Sequence, residues 1–353
     1  MKSKRETFIA AVISVLLGLL AGAVIILILN KNPFSAYLNL LQGSGLAPKG
    51  KYAGGKSMLS DFSSYIDYLT PMVFAALSVA VAFRSGLFNI GVSGQMLVAG
   101  FLSTVLVGYS GLSAGLAKSL VVIISALSGA AVGALIGFLK YKFNVNEVVS
   151  SIMINYIMSY LIGFFINAYF VDPVSRQSRE ISDASRLSLH QIKLAGYRYD
   201  IALGFILALI AVFLIKFIFD RTVLGYELRA VGLNKTGARY AGVRVNRSIL
   251  ISMAISGMLA GLAGATYYLG LFASIQPKVL PSTGFDAIAV CMVGGSSPIG
   301  ILVSTFFLEI ISKGSTYMSS QAGLEAEIAS VIMGMILLAS ACRGYYMSKL
   351  KRK

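Results

Sequence analysis

The sequence predicts an all-α integral membrane protein of about ten transmembrane helices, with both termini cytoplasmic. Three observations carry that prediction. Hydrophobic residues fill 57% of 353 positions and charged residues only 12%, against roughly 25% charged in soluble domains. Mean hydropathy is +0.80. The apolar residues gather into long uncharged runs, and the net charge of +16 sits in the polar stretches between them. A soluble enzyme, a disordered chain and a collagen-like chain are excluded on composition. Nucleic-acid binding is not indicated, because such binders concentrate charge on a soluble face. Cys291 and Cys342 both lie in apolar stretches, which argues against a secreted disulfide scaffold. His190 is the single histidine, so no metal site and no catalytic residue is assigned.

The first span runs from Thr7 to Leu29, 23 residues without a charge, after Lys2, Lys4 and Arg5. A signal peptide has an apolar core of only about 7–15 residues and a small-residue cleavage site. Asn30-Lys31-Asn32-Pro33 is not such a site, so the run reads as a retained helix. Further spans are expected near 66–83, 94–109, 117–139, 147–170, 200–219, 248–270, 285–294, 297–312 and 326–342. Segments 30–65 and 171–199 then fall outside and 220–247 inside. Eighteen of the thirty Lys and Arg residues lie on the side read as cytoplasmic, the bias expected of membrane orientation. The basic tail 349–353 suits an anionic inner leaflet or a solvated end equally. No composition shift marks a second domain, so 1–353 reads as one.

Several motifs need sorting. Gly50-Lys51-Tyr52-Ala53-Gly54-Gly55-Lys56-Ser57 fits the phosphate-loop pattern, but no apolar strand precedes it and its predicted side is outside. It reads as coincidence, leaving the chain with no ATPase of its own. The sequons at Asn234 and Asn246 fall on the inside and are discounted. Gly18-x3-Gly22, Gly129-x3-Gly133-x3-Gly137 and Gly257-x3-Gly261 are close-packing signatures, read chiefly as helix contacts within the bundle.

Polar breaks interrupt two apolar regions, at Arg84–Gln95 and Met292–Gly300. Irregular backbone at membrane depth must be buried in protein or line a cavity, and transporters place such breaks at binding sites. A plain inner loop is the alternative. Asn155 lies one to two turns into its span, as an interhelical hydrogen bond or a pathway residue. Asp286, in Thr283-Gly-Phe-Asp286, caps a helix start or serves the pathway. Glu309 falls near the outer end of its expected span, where it reaches water or carries a coupled ion. In the inside segment, Asn234 is a good helix N-cap, predicting a short helix over 235–241.

Phe88-Asn89-Ile90-Gly91-Val92-Ser93-Gly94-Gln95-Met96 resembles the signature of permeases in the branched-chain amino acid, ribose and nucleoside group of bacterial ATP-binding cassette importers. Asn146-Glu147-Val148-Val149 through Asn155-Tyr156-Ile157 resembles the nucleoside members, those of guanosine type most closely. Leu228-Arg229-Ala230-Val231-Gly232-x-Asn234 through Gly242-Val243 is similar to their cytoplasmic coupling loop. Gly284-Phe285-Asp286-Ala287 through Pro298-Ile299-Gly300 is similar to their late broken segment. The likeness runs from about residue 65 to 342.

The resemblance implies a multi-pass permease of a bacterial plasma membrane. It implies pairing with a second, different permease, with ATPase subunits below and a substrate-binding lipoprotein outside. ATP and Mg²⁺ would sit on the ATPase. A neutral polar solute such as a nucleoside would pass Phe88, Asn89, Ser93, Gln95, Asn155, Asp286, Ser296 and Ser297, because Asn and Gln offer both donors and acceptors. Ribose, another sugar or a branched-chain amino acid are alternatives within the class. An ion-coupled secondary transporter, resting on Asp286 and Glu309, is the alternative outside it. Coupling to the ATPase would fall to Glu227, Arg229, Gly232, Asn234, Ala238 and Gly242. Arg176, Arg179 and Arg186 would steer the binding protein. The family pattern after Asn234 is Pro and alanines, whereas this chain has Lys235-Thr236-Gly237. Glycine costs about 1 kcal/mol in a helix relative to alanine, so a coupling helix shorter than 235–241 is expected.

Overall fold

The computed structural model describes residues 4–52, 56–194, 197–342 and Tyr345. It contains α1 (Lys4–Ile28), α2 (Pro33–Gly43), α3 (Met58–Arg84), α4 (Val92–Ser103), α5 (Ala114–Phe143), α6 (Glu147–Phe165), β1 (Ser188–Leu194) and β2 (Tyr197–Ala202). It continues through α7 (Leu203–Arg221), α8 (Val223–Leu233), α9 (Lys235–Tyr240), α10 (Val245–Thr266), α11 (Thr283–Val293), α12 (Pro298–Ala322) and α13 (Glu327–Ala341). Single π-helical stretches extend α4 to Gly108, α6 to Phe170 and α10 to Phe272. Among the described residues, seven helices are long and apolar enough to cross a membrane. Three apolar helices are shorter: Val92–Gly108, Thr283–Val293 and Glu327–Ala341.

Local chemistry sets the boundaries. Asn30 takes a left-handed φ of 55°, and Asn32 then caps α2 by accepting from the Phe34 amide at 2.9 Å, with Pro33 at the first helical position. Asn144 ends α5 in the left-handed region, and Asn146 caps α6 through the Val148 amide at 2.9 Å. Gly323 closes α12 with a φ of 59°.

Three expectations need correction, and segment 30–65, for which no element was predicted, holds α2 and the first turns of α3. Ser57 and Ser60 bond each other's amides at 3.1 and 3.2 Å, starting α3 eight residues before the apolar run. Segment 171–199 carries a two-stranded sheet, so the fold is not wholly helical. The span expected at 297–312 continues to Ala322, which places Lys313 in a helix rather than a loop. Glu309 is therefore well inside α12 and only 2% exposed, not at a wet helix end. The phosphate-loop match lies between α2 and α3, no strand precedes it among the described residues, and 53–55 lie outside them. The tail at 349–353 also lies outside them.

The chain divides into two compact units. One comprises 1–69, 190–201 and 288–353. Within it, α1 packs on α13 with Gly18 against Ile336 and Gly22 against Ile332, and α2 packs on α12 where Gly43 meets Gly314. Lys49 pairs with Asp61 at 2.6 Å. Asp200 of β2 accepts from the Ser64 hydroxyl at 2.7 Å, tying the strand to the start of α3. The other unit comprises 70–189 and 202–287. Its centre is the α5–α10 pair, where Gly129 and Gly133 meet Gly257 and Gly261 backbone to backbone. A Cβ on Gly133 would lie 2.9 Å from the Gly257 Cα. Small residues let helices approach this closely where the hydrophobic effect between them is weak.

Candidate functional site

The break between α3 and α4 is held from all sides. Gly86 turns the chain with a φ of +68°, and Phe88 stacks on Phe83 with ring centres 4.9 Å apart. Asn89 follows, fully buried. Its amide donates to Gln95 Oε1 at 3.0 Å and to the Ser256 hydroxyl at 2.8 Å. Its carbonyl oxygen accepts from the Gly91 amide at 3.0 Å and from Gln95 Nε2 at 3.3 Å. Ser256 in turn donates to the Ser78 carbonyl at 2.8 Å. The network therefore joins α3, the break, α4 and α10.

Asn155 serves the same place from α6. No side chain local to Gly91 caps α4. Asn155 Oδ1 accepts from the Gly94 amide at 2.8 Å, and its Nδ2 donates to the Ile90 carbonyl at 3.0 Å. A helix start carries orphan N–H groups that need such partners. A distant asparagine thus caps α4, and Gly94 leaves room for it, since a Cβ there would sit 2.9 Å from the Asn155 Cα. Ser93 donates to the Pro281 carbonyl at 2.8 Å, so the start of α11 docks on the start of α4. Asp286 lies in the first turn of α11 beside Ser282, partly exposed. Phe88, Asn89, Ser93, Gln95, Asn155 and Asp286 all belong to this unit. Ser296 and Ser297 belong to the other, where Ser296 has a φ of 53° and both are partly exposed.

The segment after α7 adjoins the break. Thr222 caps α8 through the Gly225 amide at 3.1 Å, and Asn234 caps α9 through the Gly237 amide at 3.0 Å. The six-residue α9 is one residue shorter than the expected span. Leu228, Val231 and Ala238 are buried, and Val231 and Ala238 share a core with Leu87 and Ile154. Gly232 meets the backbone at 84–86, and a Cβ on it would lie 2.9 Å from the Gly86 nitrogen. Arg229 donates to the Gly225 carbonyl at 3.2 Å. Glu227 is partly exposed, and Gly242 turns the chain with a φ of 83°. Gly237 has no backbone close to where a Cβ would be. Gly237→Ala is therefore expected to stabilise α9 by about 1 kcal/mol, read as a higher melting temperature with uptake unchanged.

Sequence reasoning missed several residues here. Leu233 and Tyr240 are each 89% exposed and Tyr226 62%, an apolar display on an otherwise basic segment. Their signal was available as isolated apolar residues between charges. Ser78 and Ser256 gave no signal, because serine is common in membrane helices. Asp67, at the start of the span expected at 66–83, is buried in α3. Of the outer arginines, Arg176 and Arg179 are exposed, whereas Arg186 turns to Asp183 at 3.9 Å. Among the described residues no group of His, Cys, Asp and Glu could hold a metal ion.

A family model described as branched-chain amino acid transport system / permease component matches residues 62–341. The chain is 34% identical, over its full length and 99% of the relative, to the guanosine ABC transporter permease protein NupP of Bacillus subtilis (strain 168). It is 31% identical, over 97% of its length and 93% of the relative, to the nucleoside ABC transporter permease protein NupB of Lactococcus lactis subsp. cremoris (strain MG1363). It is 26% identical, over 79% of its length and 89% of the relative, to the guanosine ABC transporter permease protein NupQ of the same Bacillus strain.

Proposed function

The chain belongs to the branched-chain amino acid transport system permease family, and from that premise we propose that it is the permease subunit of an ATP-driven importer of nucleosides. The observation that carries this reading is full-length similarity to two permeases whose names specify guanosine and nucleosides. In it, ten apolar helices cross or enter a bacterial plasma membrane and both termini are cytoplasmic. The partner permease is a different chain. Similarity to both NupP and NupQ, two permeases of one bacterium, supports that pairing.

The mechanism is alternating access driven by closure of a separate ATPase, which holds the nucleotide and Mg²⁺. The exposed apolar residues of α8 and α9 dock the ATPase, and their buried faces carry its movement to the break. Asn89, Ser93, Gln95 and Asn155 spend their hydrogen bonds on the protein, so they shape the wall of the substrate pathway. Phe88, Asp286, Ser296 and Ser297, all partly exposed, meet the solute. Arg176 and Arg179, with Arg186 behind them, steer a substrate-binding lipoprotein to the outer face.

The test is a mild-detergent pull-down of the tagged chain from its native membranes. Co-purification of an ATPase, a second permease and a lipoprotein is expected, and nucleosides rather than sugars or branched-chain amino acids should raise the lipoprotein's melting temperature. Recovery of the chain alone, driving ion-dependent uptake in liposomes, would overturn the reading. Tyr240→Ser should weaken ATPase recovery about thirtyfold, the scale of a 2 kcal/mol interface anchor, while Arg239→Gln should matter far less.

A further inference from the structure

The first unit carries a cavity that the transport reading does not use. It has a volume of about 700 Å³ and lies between α1 and α2, within the roughly 300–1,000 Å³ of ligand pockets. Leu16, Leu20, Ala23 and Leu27 of α1 line one side, and Phe34 and Tyr37 of α2 line the other. The Tyr37 hydroxyl donates to the Leu19 carbonyl, fastening α2 across α1. One end of the groove is closed by the turn at Asn30, where the Lys31 amide bonds the Ile26 carbonyl at 3.1 Å. Lys31 lines that end and is exposed. It is the first cation after 24 uncharged residues, Thr7 to Asn30. Asn32, beside it, is occupied as the cap of α2.

We propose that this groove seats an acyl chain of an anionic phospholipid, with the headgroup phosphate held at Lys31. The chemistry is divided as a lipid divides it: an apolar trough along a membrane helix, then one positive charge where the uncharged run stops. A transmembrane helix of a partner, about 10–12 Å across, would have to continue past the turn at Asn30. A lipid ends there in its headgroup. The face of α1 around the groove supports the same occupant, because Leu20, Val24 and Ile28 are exposed while Gly18 and Gly22 are committed to α13. The proposal needs only membrane insertion, so it stands or falls separately from the nucleoside reading.

The experiment is native mass spectrometry of the protein released from nanodiscs of phosphatidylcholine doped with phosphatidylglycerol. The wild type is expected to retain phosphatidylglycerol in preference to phosphatidylcholine. Lys31→Gln should lower that retention about fivefold, the worth of one basic residue at an anionic surface. Ala23→Trp, which fills the trough, should abolish it without lowering the melting temperature in detergent. Equal retention by wild type and both variants would overturn the proposal. So would a photocrosslinker at position 23 that captures a protein instead of lipid.

Discussion

Gly232→Val is expected to stop nucleoside uptake while ATP hydrolysis continues. The reason is steric and specific to the place. A Cβ at position 232 would lie 2.9 Å from the Gly86 nitrogen and 3.0 Å from the Arg84 carbonyl carbon. Both are backbone atoms, so no flexible side chain can move aside. Gly86 is itself fixed in the left-handed region at a φ of +68°, where a side chain costs roughly 1–2 kcal/mol. The overlap is relieved only if α8 withdraws from the break. Overpacking of this kind costs about 1–3 kcal/mol, equivalent to roughly a 5–150-fold change in coupling. The readout is the ratio of nucleoside transported to ATP hydrolysed in proteoliposomes with all partners present. ATPase docking should persist, because Leu233 and Tyr240 keep their exposure. A variant with wild-type uptake and an unchanged ratio would remove Gly232 from the coupling route. Gly237→Ala is the paired control, since that position has room.

The contact at Gly232 shows what a sequence does and does not state. Long apolar runs report that a helix is covered by lipid or protein, and every such run here is a helix. The same signal is silent where a helix is covered on one face and polar on the other. That is why α2, the first turns of α3 and the last turns of α12 were not anticipated. In α12 the polar stretch from Ser312 to Gln321 stays helical because Gly314 lets α2 pack against it. The glycine pairs were visible as spacing, but which pair meets which is a tertiary fact. Asn234 was legible as a cap because its partner is three residues away. Asn155 was not, because its partners are 61 and 65 residues away.

That difference makes Asn155 the more demanding test. Asn155→Leu is expected to destabilise the permease severely, whatever substrate it carries. Leucine keeps the branching, in a larger volume, but satisfies neither the Gly94 amide nor the Ile90 carbonyl. Each buried group left without a partner costs about 1–3 kcal/mol, so the pair costs on the order of 2–6 kcal/mol out of a typical 5–15 kcal/mol. Thermal melting in detergent should fall sharply, and the amount of folded protein in the membrane should fall with it. Asn155→Asp separates scaffold from ligand. Protonated, its carboxyl can accept from the Gly94 amide and donate to the Ile90 carbonyl; ionised, it sets a buried charge against that carbonyl, so recovery should be greatest at low pH. If Asn155 positions the break, Asp should recover much of the melting temperature, and uptake per folded molecule should recover without a change in preference among nucleosides. If Asn155 instead grips the solute, Asp should melt like the wild type yet alter the apparent affinity for one nucleoside over another. Both amide ends being engaged at 2.8 and 3.0 Å argues for the first outcome, because a side chain that binds the solute must give up a bond it already makes.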